Sequence, residues 1–295
     1  QYYSNVEYNQ VNHQLSLNND GWHRKTSFNV SGLYRDIFHI GVNINSHNLK
    51  FSSTQNLLET EQSLKSPTYD INFNNKLLTL GNGTSVQIGG ILRLKNIRLG
   101  ATYDSPQWLT MIDETSQSID TFYFEENFVI NEIIDPNITN IYEPYELKIP
   151  SKTTLSFAYI FGAKGIISAD YSSQNAGNTI LSDQYGSNYL NTISSRVNSE
   201  FGAINTLKIG GEFRLKDISL RCGILSRNGV YKNSTTNDIA LTLGVGIDFG
   251  ASNLSLSLMN FEQNKRFELF SKGLTDVYNL TQKLTQVSVS YNIKL

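Results

Sequence analysis

Residues 286–295 read QVSVSYNIKL, and this stretch decides the fold. Val287, Val289, Tyr291, Ile293 and Leu295 alternate with Gln286, Ser288, Ser290, Asn292 and Lys294. A period of two puts all the apolar side chains on one face of a strand and all the polar ones on the other. The pattern runs to the last residue, as expected of a strand that closes a barrel rather than one that ends in a solvated tail.

The same alternation recurs upstream in pairs joined by tight turns. Phe28, Val30, Gly32 and Tyr34 lead into Arg35-Asp36, and Phe38, Ile40, Val42 and Ile44 return. Similar pairs flank Lys95-Asn96, residues 162–165, Lys216-Asp217 and residues 250–252. Each turn carries Gly, Asn or Asp, the residues that tolerate hairpin backbone angles. Between the hairpins lie polar stretches at roughly 46–84, 104–153, 172–205, 226–238 and 260–284, read here as long loops. Short turns alternating with long loops match a bacterial outer-membrane barrel, with its turns in the periplasm and its loops outside. A soluble β-sandwich gives no reason for that asymmetry.

Composition is compatible with this reading. The 295-residue chain has a formal net charge of -2 and 39% hydrophobic residues, and its mean hydropathy is -0.30. No run approaches the ~18 apolar residues of a membrane helix. A transmembrane barrel also averages out as polar, because only alternate residues face lipid. The charge balance gives no cause to expect a nucleic-acid partner. The opposite strand faces carry small and charged residues, such as Lys208, Gly210, Glu212 and Arg214, as a polar lumen requires. Charges on the lipid face would cost roughly 2–4 kcal/mol near the midplane.

The expected fold class is therefore all-β, an antiparallel transmembrane barrel in the bacterial outer membrane, as a single domain over residues 1–295. Five hairpins and the last strand give about 11 strands. Single-chain bacterial barrels have an even number, so an odd number of strands is expected to precede Gln1. Residues 1–25 read as an external loop or as a weak strand through Val11, His13, Leu15 and Leu17.

Three stretches carry a family resemblance. Residues 145–171, YELKIPSKTTLSFAYIFGAKGIISADY, resemble a Pro-containing, aromatic-rich hairpin of the long-chain fatty-acid outer-membrane transporters (FadL-like). SVQIGGILRLKNIRLGATYDSPQWL (85–109) and NTLKIGGEFRLKDISLRCGI (205–224) are similar to two other hairpins of that family. The DSPQWL stretch departs from the usual Thr-Pro with a nearby aromatic. The resemblance implies a barrel of 14 strands with an N-terminal hatch, of which this chain would be the C-terminal part. It also implies external loops that give hydrophobic ligands a first landing site.

The chain carries no nucleophile elbow, P-loop or HExxH pattern, and His13, His23, His39 and His47 lack paired ligand spacing. Neither an enzyme nor a cofactor is expected. A lone cysteine, Cys222, falls on an apolar strand face. The candidate ligand-binding residues are Trp108, Leu109, Met111, Phe122, Phe124 and Phe128 in the stretch 104–153, since apolar side chains in an external loop must bury or bind something. Arg93, Arg98 and Arg214 are candidates for a carboxylate headgroup. The expected function is diffusive uptake of hydrophobic compounds such as long-chain fatty acids, with membrane lipids and a hydrophobic small molecule as partners. The alternatives are an accessory barrel of a larger secretion-type assembly, with protein partners at its loops, and a small-solute porin.

Overall fold

The computed structural model describes residues 11–61, 68–125, 128–268 and 277–293. Sixteen strands form one antiparallel sheet: β1 (Val11–Tyr34), β2 (Phe38–Glu61), β3 (Thr68–Leu94), β4 (Ile97–Asp104), β5 (Gln107–Glu125), β6 (Phe128–Ile134), β7 (Asn140–Ile141), β8 (Tyr145–Ile149), β9 (Lys152–Ile160), β10 (Gly165–Asn175), β11 (Ile180–Ser182), β12 (Ala203–Leu215), β13 (Ile218–Asn228), β14 (Asn237–Asp248), β15 (Ser252–Glu268) and β16 (Val277–Ile293). One α-helix, α1 (Asn188–Glu200), follows β11. No helix among the described residues is long and apolar enough to cross a membrane.

β4 and β5 both pair with β3, and β9 and β8 pair with β4 and β5 in turn. Each couple is one wall strand interrupted at a proline, Pro106 or Pro150, which cannot donate to the ladder. Counted so, and with the short β6, β7 and β11 set aside, the wall has eleven strands, the number read from the alternation. Among the described residues β1 pairs only with β2 and β16 only with β15.

The register separates the faces across every pair. Ile40↔Gly90↔Ala101↔Leu155↔Tyr171↔Leu207 is one continuous row of the outer face. Leu220↔Val245↔Leu256↔Val289 is another. Burial is inverted relative to a water-soluble protein. Along β2, Ile44 is 59% exposed while its neighbour Asn45 is 4% exposed and His47 2%. Along β14, Asp238 and Ala240 are buried while Ile239, Leu241 and Leu243 are exposed. A face of exposed Leu, Ile, Val and Phe against a buried face of Asn, His, Ser and Asp is the arrangement of a strand between lipid and a polar lumen. The apolar band stops at a row of small polar residues, Thr26↔Ser46↔Thr84 on one side of the wall and Asn260↔Thr285 on the other.

On the inner face many of the polar side chains bond to one another. Asn29 donates to Asn43 at 2.6 Å, and Asn43 to Gln87 at 2.7 Å. Ser27 donates to Asn45 at 2.7 Å, and Asn45 to Ser85 at 3.2 Å. Glu212 bridges Arg214 at 2.6 Å and Arg221 at 2.7 Å. The Arg221 guanidinium lies flat across Gly246, where an added Cβ would sit 3.2 Å from it, and it reaches Ser255.

The long polar stretches are not loops throughout. β1, β2, β3 and β5 run on past the apolar band. Beyond the band both faces meet water, so the alternation that marks a strand disappears while the backbone ladder persists. Residues 11–25 are the outer half of β1 rather than a loop or a separate strand. Gly21, at a φ of 156°, lets β1 press against the Lys50 backbone, which an added Cβ would strike. Residues 172–205 include α1, and 104–153 is mostly strand. Leu295, the end of the decisive alternation, lies outside the described residues.

Candidate functional site

The inner face changes character just past the polar row that ends the band. Leu49↔Gly81↔Met111↔Tyr145 and Gly83↔Leu109↔Leu147↔Leu181 are two adjacent inner-face rows. Leu109 and Met111 are 3% and 5% exposed, among the few deeply buried apolar side chains of the protein. They are packed because the strand opposite is glycine. A Cβ at Gly81 would sit 2.5 Å from the Met111 sulfur and 2.8 Å from Leu49, and one at Gly83 would sit 2.7 Å from Leu109. Higher on the same face a second apolar row crosses five strands, Leu15↔Leu57↔Phe73↔Ile119↔Ile134.

Between these apolar layers sits a small polar group. Asp113 accepts from Thr79 at 2.6 Å and from the Tyr145 hydroxyl at 3.2 Å. Burial, then the Asp113 charge and the hydrogen bond to it, push the Tyr145 phenol up to about 12. Tyr145 therefore stays a neutral donor at physiological pH.

Directly below the buried leucines is a polar pocket of about 170 Å³, beneath the two proline breaks. Its lining includes Lys25, His47, Ser85, Gln107 and Lys152. The His47 ring contacts His23 at 3.0 Å and Ser85 at 2.8 Å. Lys152 is paired with Asp104 at 3.3 Å, and Gln174 donates to the Pro150 carbonyl at 2.7 Å. The site thus has an apolar upper part and, below it, a polar part lined by Asp104 as well as by the cations Lys25 and Lys152.

The expected site residues are distributed over both faces. Leu109 and Met111 lie at the centre of the inner cluster. Trp108, one residue from Leu109, pairs with Thr84 on the opposite face and is half exposed. Phe122 pairs with Asp70 on that same outer face. Phe128 opens β6 and is 73% exposed, and Phe124 is in register with Val129. Arg93 and Arg98 face each other beside the β3–β4 turn, ten residues along β3 from Gly83. At ~3.3 Å per residue that is about 33 Å from the leucines. Arg93 reaches His39 at 3.2 Å, Arg98 donates to the Lys95 carbonyl at 2.7 Å, and Arg214 is held by Glu212. None of the three arginines meets the apolar cluster.

Sequence reasoning missed Lys25, Leu49, Asp113 and Leu147. One signal was present: Gly81 and Gly83, two apart, mark a strand face cleared for a neighbour's side chains.

No family model matches the sequence, and no curated protein does. Solved structures do match. A FadL homologue of Pseudomonas aeruginosa aligns over 97% of this chain and 75% of its own, with a TM-score of 0.61 at 10% identity. The toluene transporter TbuX of Ralstonia pickettii aligns over 94% of this chain and 69% of its own, with a TM-score of 0.54 at 13% identity. The toluene transporter TodX of Pseudomonas putida covers 97% of this chain and 89% of its own at 11% identity, with a TM-score of 0.45. The fold is that of the FadL-like barrels, as the three hairpins led us to expect.

Proposed function

We propose that the chain forms the wall of an outer-membrane barrel that takes up hydrophobic compounds by diffusion. The observation that carries this reading is the apolar cluster of Leu49, Leu109 and Met111 on the inner face, next to a stretch of that face where Asn29, Asn43, Asn45, Ser85 and Gln87 are hydrogen-bonded to one another. An apolar surface facing a lumen recovers about 0.8 kcal/mol for each CH₂ it removes from water. The likeness of fold to a FadL homologue and a toluene transporter supports the same reading.

The ligand we favour is a long-chain amphiphile such as a fatty acid. Its chain lies against Leu49 and Leu147, the partly exposed edge of the cluster that the buried Leu109 and Met111 back, and its carboxylate enters the polar pocket beside Lys25. Lys25 takes the headgroup role expected of Arg93, Arg98 and Arg214, because it lines the pocket under the cluster and they lie at the other end of the wall. The test is binding of a long-chain fatty acid to the full-length protein. Leu109→Asp is expected to weaken binding at least ~10-fold, the worth of a lost apolar contact near 1.4 kcal/mol. Lys25→Gln is expected to weaken the fatty acid but not a neutral aromatic hydrocarbon. No binding of either ligand by the unaltered protein defeats the proposal.

One observation favours a second reading, a docking subunit of a larger assembly. Phe128, Val129 and Ile133 are all more than half exposed on β6 towards the outer tip of the β5–β6 hairpin. Such a patch suits a protein partner. Recovery of a stoichiometric partner with the protein from native membranes, and its loss on Phe128→Ser with Ile133→Ser, is the expected result if this reading holds.

A further inference from the structure

The outer face of the wall is not evenly filled. Gly211 and Cys222 pair in register, flanked by Ile167 on β10 and Leu243 on β14. Two small residues side by side leave a groove of about 890 Å³ in the lipid-facing surface, walled by larger side chains such as Phe213, Leu220, Leu243 and Leu258. Its end at the β9–β10 turn is lined by Phe161 and Lys164. The backbone of Lys164 is fixed, its N–H donating to Phe161 at 3.1 Å and its carbonyl accepting from Arg214 at 2.8 Å. Its ammonium has no ion-pair partner among the described residues. The other charged residues at the groove, Glu212 and Arg221, face the lumen and pair with each other.

We infer that this groove is a binding site for an anionic phospholipid of the periplasmic-side leaflet, its acyl chain over Gly211 and Cys222 and its headgroup phosphate on Lys164. Position selects the class of occupant. The groove lies inside the apolar band, where the bilayer supplies acyl chains, and its cation lies at a short turn, where the leaflet's headgroups are. Cations recur at this rim, with Arg35, Lys95 and Lys216 in three more of the turns. Of these rim cations, Lys164 lines the groove over Gly211 and Cys222. A second groove on the same face, about 720 Å³, is floored by Gly90 and Ala101 and walled by Phe38, Ile40, Leu99 and Leu155. No charged residue lines it. It is the internal control, able to hold a chain but not to select a headgroup.

The inference stands apart from the transport reading, since it needs only the membrane placement. Its test uses the full-length protein with Trp22→Phe and Trp108→Phe, reconstituted in dioleoylphosphatidylcholine vesicles. Brominated dioleoylphosphatidylglycerol, or brominated phosphatidylcholine, is added as a fluorescence quencher. A reporter is placed in the first groove by Leu243→Trp, and in the second by Leu99→Trp. At the first groove, phosphatidylglycerol is expected to be preferred by about fivefold, the worth of one lysine near anionic lipid. The preference disappears on Lys164→Gln, and the second groove shows none. Equal quenching by the two lipids at the first groove overturns the inference, as does a preference that survives Lys164→Gln. Filling the floor by Cys222→Phe should lower quenching at the first groove and leave the second unchanged.

Discussion

The turn-side half of the wall and its loop-side half obey different rules. In the turn-side half lipid lies on one face and a lumen on the other, so the strands alternate, with Leu254, Leu256 and Leu258 outward and Asn253, Ser255 and Ser257 inward. In the loop-side half both faces meet water, and a row of apolar residues lies on the inner face, as in Leu15, Leu57, Phe73 and Ile119. The same backbone ladder runs through both. Hydrophobic residues thus mark where solvent changes rather than where the strand is.

A charge breaks this comparison most sharply. Val289→Arg, on the outer face, is expected to destabilise the barrel in vesicles by ~2–4 kcal/mol, whereas Ser288→Arg on the adjacent inner position is expected to change stability little. Denaturant unfolding of the two variants in lipid measures the difference. Equal effects would mean that the strand faces are not distinct. In the loop-side half the sensitive position is a glycine. Gly83→Leu has no room against Leu109 and the Trp108 carbonyl, and is expected to cost about 1–3 kcal/mol and to lower affinity for a hydrophobic ligand. The affinity loss is the part that locates the site.

Much of the turn-side half was legible, because a strand between lipid and lumen must alternate. The five turns, the eleven wall strands and the polar inner face all follow from that constraint. The loop-side half was not. With water on both sides, residues such as Asn72, Asn74 and Asn75 on β3 carry no period to read. Leu109 and Met111 were identified as ligand candidates because they are apolar in a polar stretch, and so was Trp108. Only the register, which sends Trp108 outward to Thr84 and Leu109 inward to Gly83, separates them. The cations differ in legibility for the opposite reason. Arg93, Arg98 and Arg214 were visible on clean alternating strands, while Lys25 stands where the alternation has already faded.

Smaller effects sharpen the contrast. Glu212→Gln leaves Arg214 and Arg221 facing one another across the turn-side lumen and is expected to cost about 1 kcal/mol, the modest value reflecting arginines that are half in water. Thermal unfolding in detergent at low and high salt measures it, and the cost should shrink as salt rises. The loop-side half should instead respond to alkali. The Tyr145 phenol is pushed up to about 12 in the folded protein, against an ordinary value of 10.0. The unfolded chain therefore gives up that proton first. The stability that Tyr145 contributes is present below pH 10 and is lost as pH rises towards 12. Tyr145→Phe should remove that part of the alkaline loss.

The account rests on the two faces of the strand, and residues 287–293 test this most directly. Single cysteines placed at each position of the full-length protein, with Cys222→Ala, are spin-labelled in vesicles, and collisions with oxygen and with a water-soluble nickel complex are measured. The account predicts a period of two, with Val287, Val289, Tyr291 and Ile293 favouring oxygen and Ser288, Ser290 and Asn292 favouring nickel. A uniform profile, or one with the two sets exchanged, would contradict it.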